Sequence, residues 1–148
     1  MSTFNEDNTV EQLLISAAKK SGWRYVPASD IPRLQDEVLV IEWLMEALLK
    51  LNPITPEQAE QVIYKLRSAV MSGSYTSELV NANDRFRKLL FEENSYPFGN
   101  DGDNINIRFF DDDMSKNNCV VTNQWEFPRP GKEGGKRLDL VYLINGIP

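Results

Sequence analysis

Residues 136–148 read KRLDLVYLINGIP, and this stretch decides the fold class of the chain. A basic pair opens it, and a run rich in β-forming residues follows that carries one carboxylate, Asp139. The run ends at Asn145-Gly146, the dipeptide most typical of a tight hairpin turn. A hairpin needs a second strand, and only Ile147 and Pro148 follow the glycine. We therefore expect the chain to be a fragment of a larger protein, cut within this motif.

Two segments upstream of this stretch also have the pattern of strands. A Pro/Gly-rich connection from Pro128 to Gly135 is preceded by a strand-like run from Asn118 to Phe127. Apolar residues alternate with polar ones over 105–109, which predicts a further strand, and Asp111–Asp113 is predicted to form the hairpin turn between the two. The run from Arg137 to Ile144 is apolar on both faces, which predicts a position at or near the centre of the sheet.

The first half of the chain has the apolar spacing of helices. A first helix is predicted to begin at the cap Asn8, with Glu11 as its capping-box partner. Four apolar residues then recur at helical spacing and are predicted to form its buried face: Val10, Leu13, Leu14 and Ala17. Three further helices are predicted over 34–51, from a Thr55 cap, and over 77–92. This order indicates an α+β domain, with a helical N-terminal half packed on a small mixed or antiparallel sheet of three strands.

Composition excludes several classes of function. The chain has no histidine and one cysteine, Cys119, so it has neither a histidine catalyst nor the thiolates of a zinc or iron–sulfur site. Its net charge of −6 argues against tight, autonomous binding of nucleic acid, although DNA remains a possible substrate if other domains hold it. The N-terminus lacks a signal-peptide pattern and no apolar run approaches membrane-spanning length. We expect a cytoplasmic protein without a membrane partner.

Asp139 is the residue where chemistry is first expected. Strand alternation places its side chain on the face of Val141 and Leu143, where a carboxylate is costly unless a positive charge meets it. In one reading it lies at the exposed start of the strand, in an ion pair with Lys136 or Arg137. In the other it is a ligand of a hard cation such as Mg²⁺, which requires further oxygen ligands from elsewhere. Both readings remain open at this point.

A series of motifs resembles the N-terminal region of the R subunit of type I restriction enzymes. The family has an asparagine before a strand that ends in Asn-Gln-aromatic, then a basic residue, any residue, Asp, apolar residues and Asn-Gly-x-Pro. This sequence has those elements in order, and they are Asn117-Asn118, Asn123-Gln124-Trp125, Arg137-Leu138-Asp139-Leu140-Val141 and Asn145-Gly146-Ile147-Pro148. Leu138 stands where many members have proline. The segments 11–23 and 81–90 are also similar to helices of the family.

The resemblance implies an incomplete PD-(D/E)xK nuclease core. In that family the strand with the position of Asp139 turns through Asn-Gly, and the returning strand carries Glu-x-Lys. The carboxylates hold Mg²⁺ against the scissile phosphate, and the lysine stabilises negative charge or orients water. The resemblance thus implies that residues 1–148 are a single domain, truncated before Glu-x-Lys and before ATP-dependent motor domains. The implied partners are DNA and the modification and specificity subunits.

Further site residues are expected on the same grounds, each beside a structural alternative. Glu11 is a candidate catalytic residue, because a first-helix glutamate can approach the metal in related nucleases, and its alternative is the capping box. Gln124 is a candidate DNA contact in the cleft or a strand-end amide that bonds to loop backbone. Lys136 and Arg137 are candidate phosphate contacts or simply a solvated turn. Asp139 is the expected catalytic and metal-binding residue.

Two functions are therefore expected from the sequence. The first is a part of the DNA-cleaving domain of a type I restriction enzyme, with Mg²⁺ required for the complete site and ATP used by the absent motor domains. We expect this part to be inactive when it is isolated from the rest. The second is a non-catalytic protein-interaction module, in which the acidic helical half docks onto partner subunits. A Glu-x-Lys strand shortly after Pro148 would distinguish the first from the second.

Overall fold

A computed structural model of the chain describes residues 6–34, 37–72, 79–127 and 136–148. These residues form four α-helices and five strands, which confirms the α+β class. The helices and strands are α1 (Glu6–Lys20), β1 (Arg24–Tyr25), α2 (Ile41–Leu51), α3 (Pro56–Ser72), α4 (Leu79–Phe91), β2 (Ser95–Tyr96), β3 (Ile105–Asn106), β4 (Cys119–Phe127) and β5 (Lys136–Ile144). The predicted connection from Pro128 to Gly135 lies outside the described residues. No helix among the described residues is long and apolar enough to cross a membrane.

The main sheet is mixed and has the strand order β1-β4-β5. β4 runs parallel to β1, with Arg24 opposite Val120, and antiparallel to β5, with Cys119 opposite Ile144. β4 is the middle strand of the described sheet and β5 lies beside it at the edge, so residues 137–144 are near the centre of the sheet but not at it. β5 is apolar on both faces because clusters of apolar side chains cover both: Val141 and Leu143 belong to one cluster, and Leu140 belongs to another.

Asn145-Gly146 forms the predicted hairpin turn. Both residues have left-handed backbones, with φ of 53° and 81°, as a type I′ turn requires. Ile144 and Ile147 exchange both backbone hydrogen bonds, at 2.9 and 3.0 Å, so the chain has reversed direction by Ile147. The Gly146 carbonyl accepts a hydrogen bond from the Val40 N–H at 2.9 Å. A β-carbon at Gly146 would lie 2.5 Å from the Val40 carbonyl oxygen, so glycine is required for packing as well as for φ.

The segment 105–109 is a strand over only two residues, where β3 pairs antiparallel with β2. Beyond Asn106 the backbone bonds to asparagine side chains instead of a neighbouring strand. Asn52 donates to the Arg108 carbonyl and accepts from its N–H, both at 2.8 Å, and Asn94 donates to the Ile107 carbonyl. The longer predicted strand is therefore wrong, because these side chains satisfy the groups that a ladder would use.

The Asp111–Asp113 turn is present but does not join two strands as a hairpin. The Asp113 N–H donates to the Asp111 carboxylate at 2.9 Å, and Asp113 in turn caps a short 3-10 helix over Met114–Lys116 by accepting from the Ser115 N–H. The prediction of a turn is confirmed, and the prediction of a hairpin at this point is wrong.

α3 begins at the residue that its local sequence signals predict, whereas α1 and α2 do not. Thr55 and Gln58 form the reciprocal capping box that starts α3, with N–H to oxygen distances of 3.2 and 3.0 Å. α2 begins at Ile41 instead of near residue 34, because Val40 is extended and its N–H bonds to the hairpin turn. α1 already begins at Glu6, so the predicted capping box of Asn8 and Glu11 is wrong.

α1 presents a different face to the sheet from the one that its apolar spacing predicted. Ile15 and Ala18 are buried against Val121 of β4, and Glu11 lies one turn before Ile15 on the same face. Leu13 on the predicted face is 65% exposed. The predicted buried face is wrong, since Val10 and Leu14 are likewise exposed within the described structure.

Candidate active site at the first helix and the last strand

Gln124 marks a break in the regular geometry of β4. Its φ is 54°, a left-handed backbone in the interior of a nine-residue strand. Val120 and Trp125 pack in the same apolar cluster, although residues five apart in a regular strand point to opposite faces. The left-handed residue thus reverses the alternation of side chains along β4.

The side chains of β5 also change faces, at the level of the break in β4. Leu138 and Leu140 are two residues apart and should share a face, yet Leu138 packs in the cluster of Trp125 and Leu140 packs in the cluster of α1. The residue between them is Asp139. The two strands therefore exchange faces together, at the level of Gln124 and Asp139.

Glu11 meets Gln124 from the side of α1. Its side chain is 7% exposed, and the Gln124 amide nitrogen donates to both of its carboxylate oxygens, at 3.1 and 3.2 Å. A buried carboxylate is costly without such a donor, and an amide satisfies it without neutralising its charge. The contact joins residues 113 positions apart in the sequence.

Asp139 lies across from Gln124 in the β4–β5 pair. The flanking pairs are Asn123 with Leu140 and Trp125 with Leu138, so Gln124 and Asp139 fall between them on facing strands. Gln124 thus bonds to one expected catalytic carboxylate, Glu11, and its backbone lies opposite that of the other residue, Asp139. Asp139 itself is solvent-exposed, as the edge position of β5 allows.

The basic pair is at the same end of β5 as Asp139. Arg137 is exposed and faces Glu126 in the register, and Lys136 faces Phe127. Among the described side chains, no ion pair joins Arg137 to Asp139, so the ion-pair reading of Asp139 has no support from that residue. The Lys136 side chain lies outside the described structure.

The carboxylate oxygens of this site suit Mg²⁺, but the described residues supply too few of them to form a complete metal site. Glu11 and Asp139 offer carboxylate oxygens, which are the ligands that hard divalent cations prefer. In the ranges that the structure describes, no group of three or more His, Cys, Asp or Glu side chains is close enough to hold a metal ion. Any ion here needs oxygen ligands from outside the described residues.

Two side chains that the sequence did not single out support this end of β4. The Arg33 guanidinium lies over the Trp125 ring, 3.8 Å from its centroid, and donates to the Glu126 carbonyl at 2.7 Å. Burial lowers the pKa of the Arg33 guanidinium. On the α1 side, the Tyr25 hydroxyl and the Asn123 amide oxygen are 2.6 Å apart. No local pattern around Arg33 indicates this contact, because it depends on a strand far along the chain.

A groove is present elsewhere on the surface. It has a volume of about 420 Å³ and lies among Trp23, Tyr142, Pro148 and the α4 side chains of Phe86 and Phe91. Neither Glu11, Gln124 nor Asp139 lines it. The candidate active site lies where β4 and β5 pass α1, with Asp139 exposed and Glu11 buried.

Comparison with known proteins identifies the family. Residues 3–148 match the family described as the N terminus of the type I restriction enzyme R protein. The type I restriction enzyme HindI endonuclease subunit of Haemophilus influenzae is 31% identical over 154 residues, which cover 96% of this chain and 14% of that relative. No solved structure matches the chain. The chain therefore belongs to the family of type I restriction enzyme R protein N termini, and it corresponds to the N-terminal region of an endonuclease subunit.

Proposed function

We propose that the chain contributes the N-terminal part of a PD-(D/E)xK nuclease, which cleaves unmodified foreign DNA in a Mg²⁺-dependent reaction. The observation that supports this best is the position of Gln124: its amide bonds to Glu11 of α1, and its backbone lies opposite Asp139 of β5. The family of the chain agrees with a nuclease. In the full-length protein, ATP-driven translocation by separate domains would deliver the DNA, in a cytoplasmic complex with modification and specificity subunits.

The hairpin turn supports the proposal through its register. Ile147 already pairs with Ile144, so each later residue of a continuing strand would face one residue earlier in β5. The residue facing Asp139 would then be about the fourth after Pro148. A Glu-x-Lys sequence at this level would place a carboxylate next to Asp139, with the lysine on the same face of the strand.

In this proposal the residues of the chain hold and orient the reactants. Mg²⁺, when bound, supplies positive charge against the negative charge that develops on the scissile phosphate. Asp139 and Glu11 would hold it, and Lys136 and Arg137 would contact the DNA backbone. The net charge of −6 means that most of the DNA affinity comes from other parts of the full-length protein.

The test compares two aspartate variants in the full-length subunit, assembled with its partner subunits. Asp139→Ala should abolish DNA cleavage and leave ATP hydrolysis and translocation intact, because the loss of a metal ligand affects only the nuclease. Asp112→Ala is the matched control: its side chain is fully exposed and its single ion pair, with Arg108, is at the surface. Cleavage retained by Asp139→Ala would overturn the proposal, and joint loss of cleavage and ATP hydrolysis would indicate misfolding.

A second function, docking onto partner subunits without catalysis, is favoured by one observation. Leu13, Val10 and Leu14 leave an apolar face of α1 exposed beside the candidate site. If this is the role of the domain, Leu13→Asp would abolish assembly with the partner subunits, while Asp139→Ala would leave both assembly and cleavage unchanged. The two variants therefore distinguish the two functions.

A further inference from the structure

We infer that Gln124 is a positioning residue, whose left-handed backbone turns its amide onto α1 and fixes the orientation of the Glu11 carboxylate. The inference rests on the proposed nuclease function, which gives the oriented carboxylate its purpose. It assigns to Gln124 a role in holding a carboxylate, in place of the DNA contact expected from the sequence.

The backbone of Gln124 is the first support. A left-handed conformation is uncommon for residues other than glycine, asparagine and aspartate, and it persists only where the surroundings determine it. Two of the three non-glycine residues with positive φ in the described structure, Asp101 and Asn145, belong to turns. Gln124 is instead inside a paired strand. Such outliers cluster at functional sites.

The direction of the side chain is the second support. With regular alternation from Val120, the side chain of residue 124 would lie on the face of Val120, which packs with Val40 and not with α1. The left-handed backbone sends the Gln124 amide to Glu11 instead, which is on the buried face of α1. The same reversal buries the Trp125 side chain in the core. β4 thus places an aromatic side chain on one face while the Gln124 amide reaches α1 on the other.

The chemistry of the pair is the third support. The amide nitrogen is nearly equidistant from the two oxygens of Glu11, so the contact fixes the plane and direction of the carboxylate. A lysine or arginine here would also satisfy Glu11 but would oppose a cation at the same carboxylate. A neutral donor leaves the negative charge available, and each carboxylate oxygen retains a lone pair for another contact.

The first measurement uses the metal-free chain and does not depend on catalysis. NMR of the Gln124 side-chain amide should show a large shift of its resonance in Glu11→Gln, because the acceptor loses its charge. Gln61→Glu, in an exposed part of α3, is the control and should leave that resonance unchanged. An amide resonance that does not respond to Glu11→Gln would overturn the inference.

The second measurement uses the full-length subunit in its complex and varies the Mg²⁺ concentration. Gln124→Gly keeps a residue that tolerates the left-handed backbone and removes the amide. We expect it to raise the Mg²⁺ concentration for half-maximal cleavage by about 10–100-fold, as loss of a residue that orients a metal ligand usually does. The double variant with Glu11→Gln and Gln124→Glu exchanges the two side chains. Its melting temperature should equal that of the unchanged protein, because an amide still bonds to a carboxylate. Its Mg²⁺ requirement should stay raised, because the carboxylate is now on β4 instead of α1.

The outcomes separate this inference from the proposed function. If Asp139→Ala loses cleavage but Gln124→Gly keeps the normal Mg²⁺ requirement, Gln124 is only structural and the inference is overturned while the nuclease stands. If Asp139→Ala retains cleavage, the nuclease site itself is overturned, and the positioning role for Gln124 is overturned with it.

Discussion

The Asn145 side-chain amide nitrogen lies 3.0 Å from Oδ1 of Asn117 and donates a hydrogen bond to it. Both asparagines are parts of one network. Asn145 also donates to the Phe109 carbonyl at 2.8 Å and accepts from the Asn118 N–H at 2.8 Å, while Asn117 exchanges two hydrogen bonds with the backbone of Asp111. The hairpin turn, the start of β4 and the segment after β3 are thereby held together by side-chain amides.

Asn145→Ala should lower the free energy of unfolding by about 2–4 kcal/mol, because it leaves buried backbone groups without partners and places alanine at a positive φ. Urea denaturation of the chain measures this. Asn104→Ala, at an exposed loop position, is the control and should change stability by less than about 0.5 kcal/mol. Equal stability of the two variants would contradict the network.

Gly146→Ala and Gly22→Ala separate packing from conformational strain. Both glycines have positive φ, 81° and 95°, so both alanines bear a conformational cost of about 1–2 kcal/mol. A β-carbon at Gly22 meets nothing within 4 Å, whereas one at Gly146 would overlap the Val40 carbonyl. Thermal denaturation should therefore show a clearly larger loss for Gly146→Ala. Similar losses would mean that α2 does not pack against the turn.

The orientation of α1 is tested by two alanine variants on opposite faces. Ile15→Ala should cost about 2–5 kcal/mol, because Ile15 is buried against β4. Leu13→Ala removes an exposed side chain from the same helix and should change stability by less than about 0.5 kcal/mol. Guanidinium denaturation of both variants measures the difference. A larger loss of stability for Leu13→Ala than for Ile15→Ala would mean that α1 buries the face that its apolar spacing predicted.

Arg33→Lys should destabilise the chain by about 1–2 kcal/mol, because lysine loses the planar stack on Trp125 and the directed bond to the Glu126 carbonyl. Arg24→Lys is the matched control. The Arg24 guanidinium is 5.9 Å from the Trp43 ring centroid and exposed, so its replacement should cost less. Tryptophan fluorescence during urea unfolding gives both values, and equal costs would contradict a special role for Arg33.

Asp113 gives a prediction for pH. Hydrogen bonds from the Ser115 hydroxyl, and secondarily from its N–H, lower the pKa of the Asp113 carboxyl below its ordinary value. The contribution of this cap to stability is thus present above the ordinary value and is lost as the pH falls through the lowered pKa. Ser115→Ala should raise the pKa of Asp113 toward the ordinary value. An NMR titration of the carboxyl carbon measures the change, with Asp112 in the same spectrum as the internal control.

Local patterns predicted those parts of the fold that neighbouring residues determine. Asn145-Gly146 required a turn because of its own backbone preferences, and Thr55 with Gln58 formed a cap from side chains three residues apart. The face of α1 could not be predicted in this way. Its apolar spacing favours Leu13, but the sheet selects Ile15, and that choice depends on β4, about a hundred residues later.

No local pattern in the sequence predicted the geometry of the candidate site. The resemblance to the family singled out Glu11, Gln124 and Asp139 individually. The bond between Gln124 and Glu11 depends on the left-handed backbone at Gln124, and glutamine has no local preference for that conformation. For the same reason the contact of Arg33 with Trp125 had no signal in the sequence, since it exists only after β4 has exchanged faces.

The parallel pairing of β1 with β4 has a consequence for how the chain reaches its structure. Tyr25 pairs with Val121, so the pairing must wait until β4 has been synthesised. At about 5–20 residues per second, the ribosome needs roughly 5–20 s to make the intervening segment. During that time α1 has neither the sheet that buries Ile15 nor the glutamine that bonds to Glu11. The inward face of α1 therefore has no packing partner until β4 emerges, and the long loop closed by this pairing should make folding of the domain slow.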